Sequence, residues 1–399
     1  MGTGITKHLR VRGILFLTIL ALSCGANSQK PVRHGQEGAG DTPDVAGPPA
    51  TDLSPALDAD AIAKAMRKVG DWQLAKARAD FSQDWTFATL YRGYLAAARS
   101  LHDDEYWEAM RAVGNKFEWQ LGARETHADD QAIGFMYLEL YRRDHEAKML
   151  EPTKKEFDRV MAMPDVCTET CPAWHDQTTP MWWWCDALFM APPVWAELAQ
   201  ITGNEAYLES MDRKWWVTSK LLYDPEEHLF YRDTSYLDKR EANGKKVFWS
   251  RGNGWVIAGL AEVLDAMPRD EPSRPRYIEQ FRQMAARVKS IQNANGLWQP
   301  GLLGGDAYPL PEVSGSAFFV YALAWGINHG VLDRKEYLPV VTKGWAGLIG
   351  RIYADGRLGS IQPMGGGPDT YKAQSSYVFG VGAFLMAGAE LRDLTRPLN

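Results

Sequence analysis

Four cysteines in 399 residues are too few for a disulfide framework, so the core of this chain must hold without one. Charge of a single sign is missing as well: 44 Lys and Arg are interspersed with 50 Asp and Glu, for a net charge of −6. No basic stripe argues for a nucleic-acid partner, and no acidic block for a disordered tail. Beyond residue 28 there is no run of some 18 apolar residues, so nothing there spans a bilayer. The apolar run over residues 14–22, behind Lys7, Arg10 and Arg12, is too short for a stable span and makes residues 1–28 a signal peptide. Two exits fit it. Ser23-Cys24 resembles a lipoprotein cleavage site, which would turn Cys24 into a lipid anchor, and Ala26-Asn27-Ser28 is a small-x-small site for soluble secretion. Either route delivers an exported protein, in the periplasm or as an outer-membrane lipoprotein. Cys167 and Cys171 are close enough in sequence to pair, which leaves Cys185 free. A zinc site from Cys167, Cys171 and His175 would have a spacing that matches no common ligand pattern.

Aromatic residues, by contrast, are plentiful: 16 Trp, 16 Tyr and 14 Phe. Flat rings suit the apolar faces of sugars, but they are equally ordinary core filler. Residues 29–57, rich in Gly, Pro, Asp and Ala, have no apolar periodicity and read as a flexible linker. From residue 58 onward the chain is a procession of helical patterns: 59–70, 84–101, 104–120, 129–144, 148–163, 184–201, 205–222, 253–267, 274–293, 314–329, 335–353 and 376–392. Charged, amphipathic helices alternate with helices that are apolar nearly all round, such as Trp255-Val256-Ile257-Ala258-Gly259-Leu260. A helix apolar on every face is buried on every face. Six of these, each preceded by a half-exposed partner, imply an all-α fold of the (α/α)6 toroid type, one catalytic domain over residues 58–399. A helical solenoid would show less contrast and a tighter repeat.

The apolar helices begin in polar clusters, among them Asp84-Trp85, Asp129-Asp130-Gln131, Cys185-Asp186, Arg251-Gly252-Asn253 and Glu312-Val313-Ser314. In an inner ring the like ends converge, so these clusters should line one mouth. Simple capping accounts for Asp84 and for Ser375. The densest patch is Trp182-Trp183-Trp184-Cys185-Asp186, where Asp186 is the lone ionisable group among large apolar neighbours. Desolvation raises a carboxyl pKa, as a general acid near neutral pH requires, although a cap or a partner for a buried arginine would look alike. In Phe248-Trp249-Ser250-Arg251-Gly252-Asn253-Gly254-Trp255 the glycines allow a tight turn, and a guanidinium between two indoles suits an acidic sugar. An arginine stacked structurally on Trp would leave the same pattern. In His127-Ala128-Asp129-Asp130, Asp130 is the better candidate to face inward and Asp129 the better cap.

Together these patches resemble the unsaturated glucuronyl/rhamnogalacturonyl hydrolases, glycoside hydrolase family 105, with family 88 as the nearest relative. The motifs that carry the resemblance are Trp184-Cys185-Asp186-Ala187-Leu188-Phe189-Met190-Ala191-Pro192 and Trp249-Ser250-Arg251-Gly252-Asn253-Gly254-Trp255, supported by Asp129-Asp130-Gln131 and Ser314-Gly315-Ser316-Ala317. The likeness spans essentially residues 60–392. It implies an (α/α)6 fold and removal of a 4,5-unsaturated uronic acid from the non-reducing end of acidic oligosaccharides left by polysaccharide lyases, with no metal or organic cofactor. On this resemblance Asp186 is the acid/base that protonates the C4 side of the double bond and activates water for C5, after which the hemiketal opens. Asp130 is its second carboxylate, and Arg251, Trp249, Trp255, Arg232, Asp129 and Trp184 bind substrate. Two positions depart from the family: Arg232 stands where a histidine is expected, and Cys185 replaces a small aliphatic residue. Two rival readings share the toroid: an inverting glycosidase using Asp186 and Glu312, and a surface glycan-binding protein without turnover.

Overall fold

The computed structural model describes residues 1–2, 40–163 and 182–396. The signal peptide, Cys24 and the cysteine and zinc candidates Cys167, Cys171 and His175 lie outside the described residues.

Outer and inner helices alternate along the chain. Outer α1 (Ala59–Ala77) begins where Asp58 caps the N–H groups of Asp60 and Ala61, and inner α2 (Trp85–Leu101) where Asp84 caps Thr86. Outer α3 (Asp104–Lys116) leads to an inner pair, α4 (Ala128–Gln131) and α5 (Gly134–Asp144). Outer α6 (Ala147–Ala162) is followed by the inner pair α7 (Ala187–Met190) and α8 (Pro192–Thr202). The remaining three pairs are outer α9 (Glu205–Leu222) with inner α10 (Ser250–Ala266), outer α11 (Arg274–Ser290) with inner α12 (Val313–Asn328), and outer α13 (Arg334–Ile349) with inner α14 (Val378–Leu394).

The inner helices touch in the order α2, α5, α8, α10, α12, α14, and α14 packs back along α2, which closes the ring; α1 lies against α14. This is the (α/α)6 toroid. It also explains the small residues of the inner helices. A Cβ on Gly93 of α2 would stand 2.5 Å from the Gly382 carbonyl oxygen, and one on Gly382 would stand 2.3 Å from that of Thr89, so the two helices meet backbone on backbone. Two inner helices expected as single units over 129–144 and 184–201 are each broken into a short and a long piece. In the second the break falls at Pro192, which has no N–H to continue the ladder and sits at the first position of α8. The short pieces α4 and α7 pack together at one end of the ring.

Residues 40–57 are not a free linker. The strand β1 (Gly40–Asp41) pairs antiparallel with β4 (Ser376–Tyr377), and the Ala50 N–H donates to the Ile352 carbonyl at 2.8 Å. Backbone pairing needs no apolar pattern, which is why composition alone concealed this strap. A second ribbon, β2 (Tyr223–Asp224) with β3 (Leu229–Phe230), lies in the α9–α10 connection. Toward the C-terminal ends of the inner helices, a cavity of about 550 Å³ is lined by Arg99, Glu139, Glu197, Glu262, Glu390 and others. Arg92 reaches it from α2, pairs with Glu262, and lies between the rings of Phe135 and Phe189, at 4.4 and 4.2 Å from their centres. None of the described helices is long and apolar enough to cross a membrane.

Candidate active site

The break before α8 leaves Asp186 at the start of a four-residue helix, and its side chain caps no N–H group there. The backbone is held elsewhere: the Cys185 N–H donates to the Arg232 carbonyl at 2.8 Å, fastening this turn to the segment just after Phe230. The carboxyl is 13% exposed. Burial pushes its pKa up, against the pull of Arg232 and Arg251. The Cys185 Sγ donates to its Oδ2 at 3.4 Å, and Arg232 Nε stands 3.9 Å from the same oxygen. An aspartate that neither caps nor is fully neutralised fits chemistry better than support.

Asp129 and Asp130 take the opposite parts from those expected. Asp130 is gripped by Arg124, whose Nη2 donates to Oδ1 at 2.5 Å and whose backbone N–H donates to Oδ2 at 2.7 Å. It is a loop fastener. The cap of α4 is His127, whose Nδ1 accepts from the Asp129 N–H at 3.3 Å. That frees the Asp129 carboxyl, 19% exposed, to share the cleft with Asp186. Burial raises its pKa to about 8, opposed by Arg124 and reinforced by the charges of Asp186, Asp84 and Asp130. His127 is held neutral: burial first, then Arg124, lowers its pKa to about 4. Its ring lies 4.9 Å from that of half-buried Trp184.

Arg232 is the cation of this cleft. Its Nη1 donates to Asp233 at 2.6 Å, and 27% of the side chain remains exposed. Its buried Nε has no hydrogen-bond partner. A Cβ on Gly366 would lie 3.6 Å from its Cζ, so the glycine run 365–367 passes over the guanidinium at van der Waals distance, while Tyr236 abuts Gly367. Asp233 and Tyr236 carried no motif signal beyond their nearness to Arg232 in sequence.

Three expected binding residues are placed differently. Arg251 is 0% exposed; its Nη1 donates to the Gln362 carbonyl at 2.8 Å and its Nη2 to that of Pro363 at 2.9 Å. Both terminal nitrogens thus hold the backbone, Nε has no hydrogen-bond partner, and the guanidinium is sealed from solvent in this structure. Trp249 is buried and donates through Nε1 to Gln362 Oε1 at 3.1 Å. Trp255 is fully buried, with Phe189 and Phe318 at 4.9 and 4.4 Å. Gly252 and Gly254 serve packing rather than a turn, since α10 already starts at Ser250 and a Cβ on Gly252 would stand 3.0 Å from Cys185 Sγ. Asn253 bonds both the N–H and the carbonyl of Phe230 and so locks β3 to α10. Glu312, the base of the rival inverting scheme, caps α12: its carboxylate accepts from the Ser314, Gly315 and Gln362 N–H groups and the Ser314 hydroxyl. That leaves it no freedom for proton transfer, and the rival loses its second carboxylate. Ser375, expected as a cap, instead accepts from the Thr42 hydroxyl at 3.1 Å.

Comparison with known proteins adds to this geometry. The model of glycosyl hydrolase family 88 matches residues 59–395. An unsaturated 3S-rhamnoglycuronyl hydrolase of Formosa agariphila is 42% identical over 319 residues, which cover 78% of this chain and 85% of that protein. A protein of the same name from Alteromonas sp. (strain LOR) is 32% identical over 368 residues, covering 86% and 89%. Among solved structures, a family 88 glycosyl hydrolase from Bacteroides vulgatus superposes with a TM-score of 0.77 at 29% identity, covering 84% of this chain and 99% of that one.

Proposed function

The chain belongs to glycosyl hydrolase family 88, and on that premise we propose how it works. It is a hydrolase that removes an unsaturated uronic acid from oligosaccharides. Asp186 is the acid/base. It delivers a proton to C4 of the ring double bond, the π electrons form the new C4–H bond, and water adds at C5 while returning a proton to the carboxylate. The hemiketal then opens and the glycosidic bond is released. Asp129, protonated up to about pH 8, keeps a second negative charge away from Asp186 and orients the sugar or the water. Arg232 takes the uronate carboxylate on its unpaired edge, and Trp184 stacks at the mouth.

The observation that carries this reading is Asp186 itself, a desolvated carboxyl that caps nothing and sits beside one cation at 3.9 Å. Asp186→Asn preserves shape but cannot cycle a proton. On lyase-generated oligosaccharides, the loss of near-ultraviolet absorbance that reports hydration should slow by at least about 10²-fold. A variant with near-native turnover would return Asp186 to a structural role. For the substrate class we propose unsaturated uronyl units linked to 3-sulfated rhamnose, supported by the names of the two relatives. Desulfating the oligosaccharide should then raise KM. The basic and apolar leader of residues 1–28 supports action outside the cytoplasm, which cell fractionation checks.

A further inference from the structure

Cys185 adjoins Asp186 in the chain, and the mechanism above gives it no part. Its thiol is fully buried and lies against α10, at the one place where Gly252 leaves room for it. Sγ is 3.4 Å from Asp186 Oδ2, within reach of an S–H···O bond, and it supplies the only side-chain hydrogen bond to that carboxyl among the described residues. Arg232 Nε approaches the same oxygen, at 3.9 Å. The other donor to the carboxyl is Asp186's own backbone N–H, and no second side chain among the described residues hydrogen-bonds it.

This asymmetry has a chemical meaning. A carboxylic acid holds one proton on one oxygen, and an oxygen that already accepts a hydrogen bond and faces a cation is the poorer place for it. We propose that Cys185 is a positioning residue for hydration: its thiol, together with Arg232, marks Oδ2 as the accepting oxygen and so directs the transferable proton to Oδ1. When Asp186 acts, the Oδ1–H electron pair stays on the carboxylate and the proton goes to C4, while the thiol keeps its own proton throughout. The thiol stays protonated because burial, reinforced by the charge of Asp186, pushes its pKa well above the ordinary value. Any small aliphatic residue could fill the gap beside Gly252, but none could donate to Oδ2.

The inference rests on Asp186 being the acid/base, and the test separates the two. Cys185→Ala removes the donor and little volume; Cys185→Ser restores a donor at the same place. With Cys185→Ala, kcat should fall about three- to tenfold. The alkaline limb of the pH–rate profile should also move upward, because a carboxylate stripped of a hydrogen bond holds its proton more tightly. Cys185→Ser should recover most of the rate and the native limb. Melting temperatures of both variants report packing alone. If Cys185→Ala keeps the native rate and profile while Asp186→Asn is inactive, the positioning role is overturned and the acid/base assignment stands. A serine variant no better than alanine at equal stability overturns it too. If Asp186→Asn turns over normally, both fall together.

Discussion

Burial penalises a charged carboxyl, and Asp129 registers that penalty, reinforced by the charges of Asp186, Asp84 and Asp130. Its ordinary pKa of 3.8 becomes about 8 in the folded protein. Between about pH 4 and 8 the folded chain therefore holds a proton that the unfolded chain has released. This group's contribution to stability falls as pH rises through that window and is absent above it. Asparagine has no such proton. The melting temperature of Asp129→Asn, relative to native, should climb by about a few degrees between pH 5 and pH 8.5. A difference that stays flat across that range would mean the carboxyl is not desolvated. Trp255 offers a contrasting case: truncation to alanine should cost about 3–5 kcal/mol in chemical denaturation, as for a core ring. A substrate-stacking indole would instead lose affinity with little change in stability.

These residues also show how far the site was legible in the chain. Asp186 stands out because a lone carboxyl amid tryptophans is conspicuous in the sequence itself. Asp129 and Asp130 could not be told apart, because the choice rests on His127 taking the cap and Arg124 reaching back to Asp130. The burial of Arg251 was not legible, for a different reason. A guanidinium between aromatic rings reads the same whether it faces solvent or is sealed under a loop, and only Gln362 and Pro363, more than a hundred residues away, decide it.

Among the elements, the segment after Gln362 ties the site together. Gln362 receives Trp249 through its amide oxygen, gives its N–H to Glu312, and donates to the Gly367 carbonyl at 2.7 Å. Arg251 holds two successive carbonyls at its root. The glycines over Arg232 are therefore carried on a buried, charge-assisted anchor. In Arg251→Lys a single ammonium cannot reproduce the planar fork, and the loss of one such bond should cost about 2 kcal/mol. Activity on the uronic acid and on a carboxyl-reduced substrate should fall in the same proportion. Arg232→Lys should reduce the preference for the acid over the reduced sugar. If instead Arg251→Lys alone abolishes that preference, Arg251 meets the substrate after all. Helix positions were readable from periodicity, with α9 matching to the residue. The break between α4 and α5 was not, because apolar periodicity continues across it, whereas Pro192 marks the restart at α8 in the sequence itself.

At the scale of the whole molecule the ring order follows from alternating burial, and the sequence pattern announced it. What the pattern could not announce is the strap over residues 40–57, which contributes backbone bonds rather than apolar faces. Cutting the strap away should lower the melting temperature while leaving the helical circular-dichroism signal in place. An unchanged melting temperature would mean that the pairing with β4 adds nothing. Arg392 Nε donates to the Ala59 carbonyl at 3.2 Å, so the first outer helix and the last inner one are neighbours in space. Each inner helix rests on the next all round the ring, and the fold thus has no privileged point of entry for the polypeptide. A circular permutant that joins residue 396 to residue 57 through a few glycines and reopens in the exposed turn around Asp270 should fold to the same toroid. Its hydrolytic rate should match that of the strapless chain, because no carboxyl at the mouth cares in which order the ribosome delivers the helices.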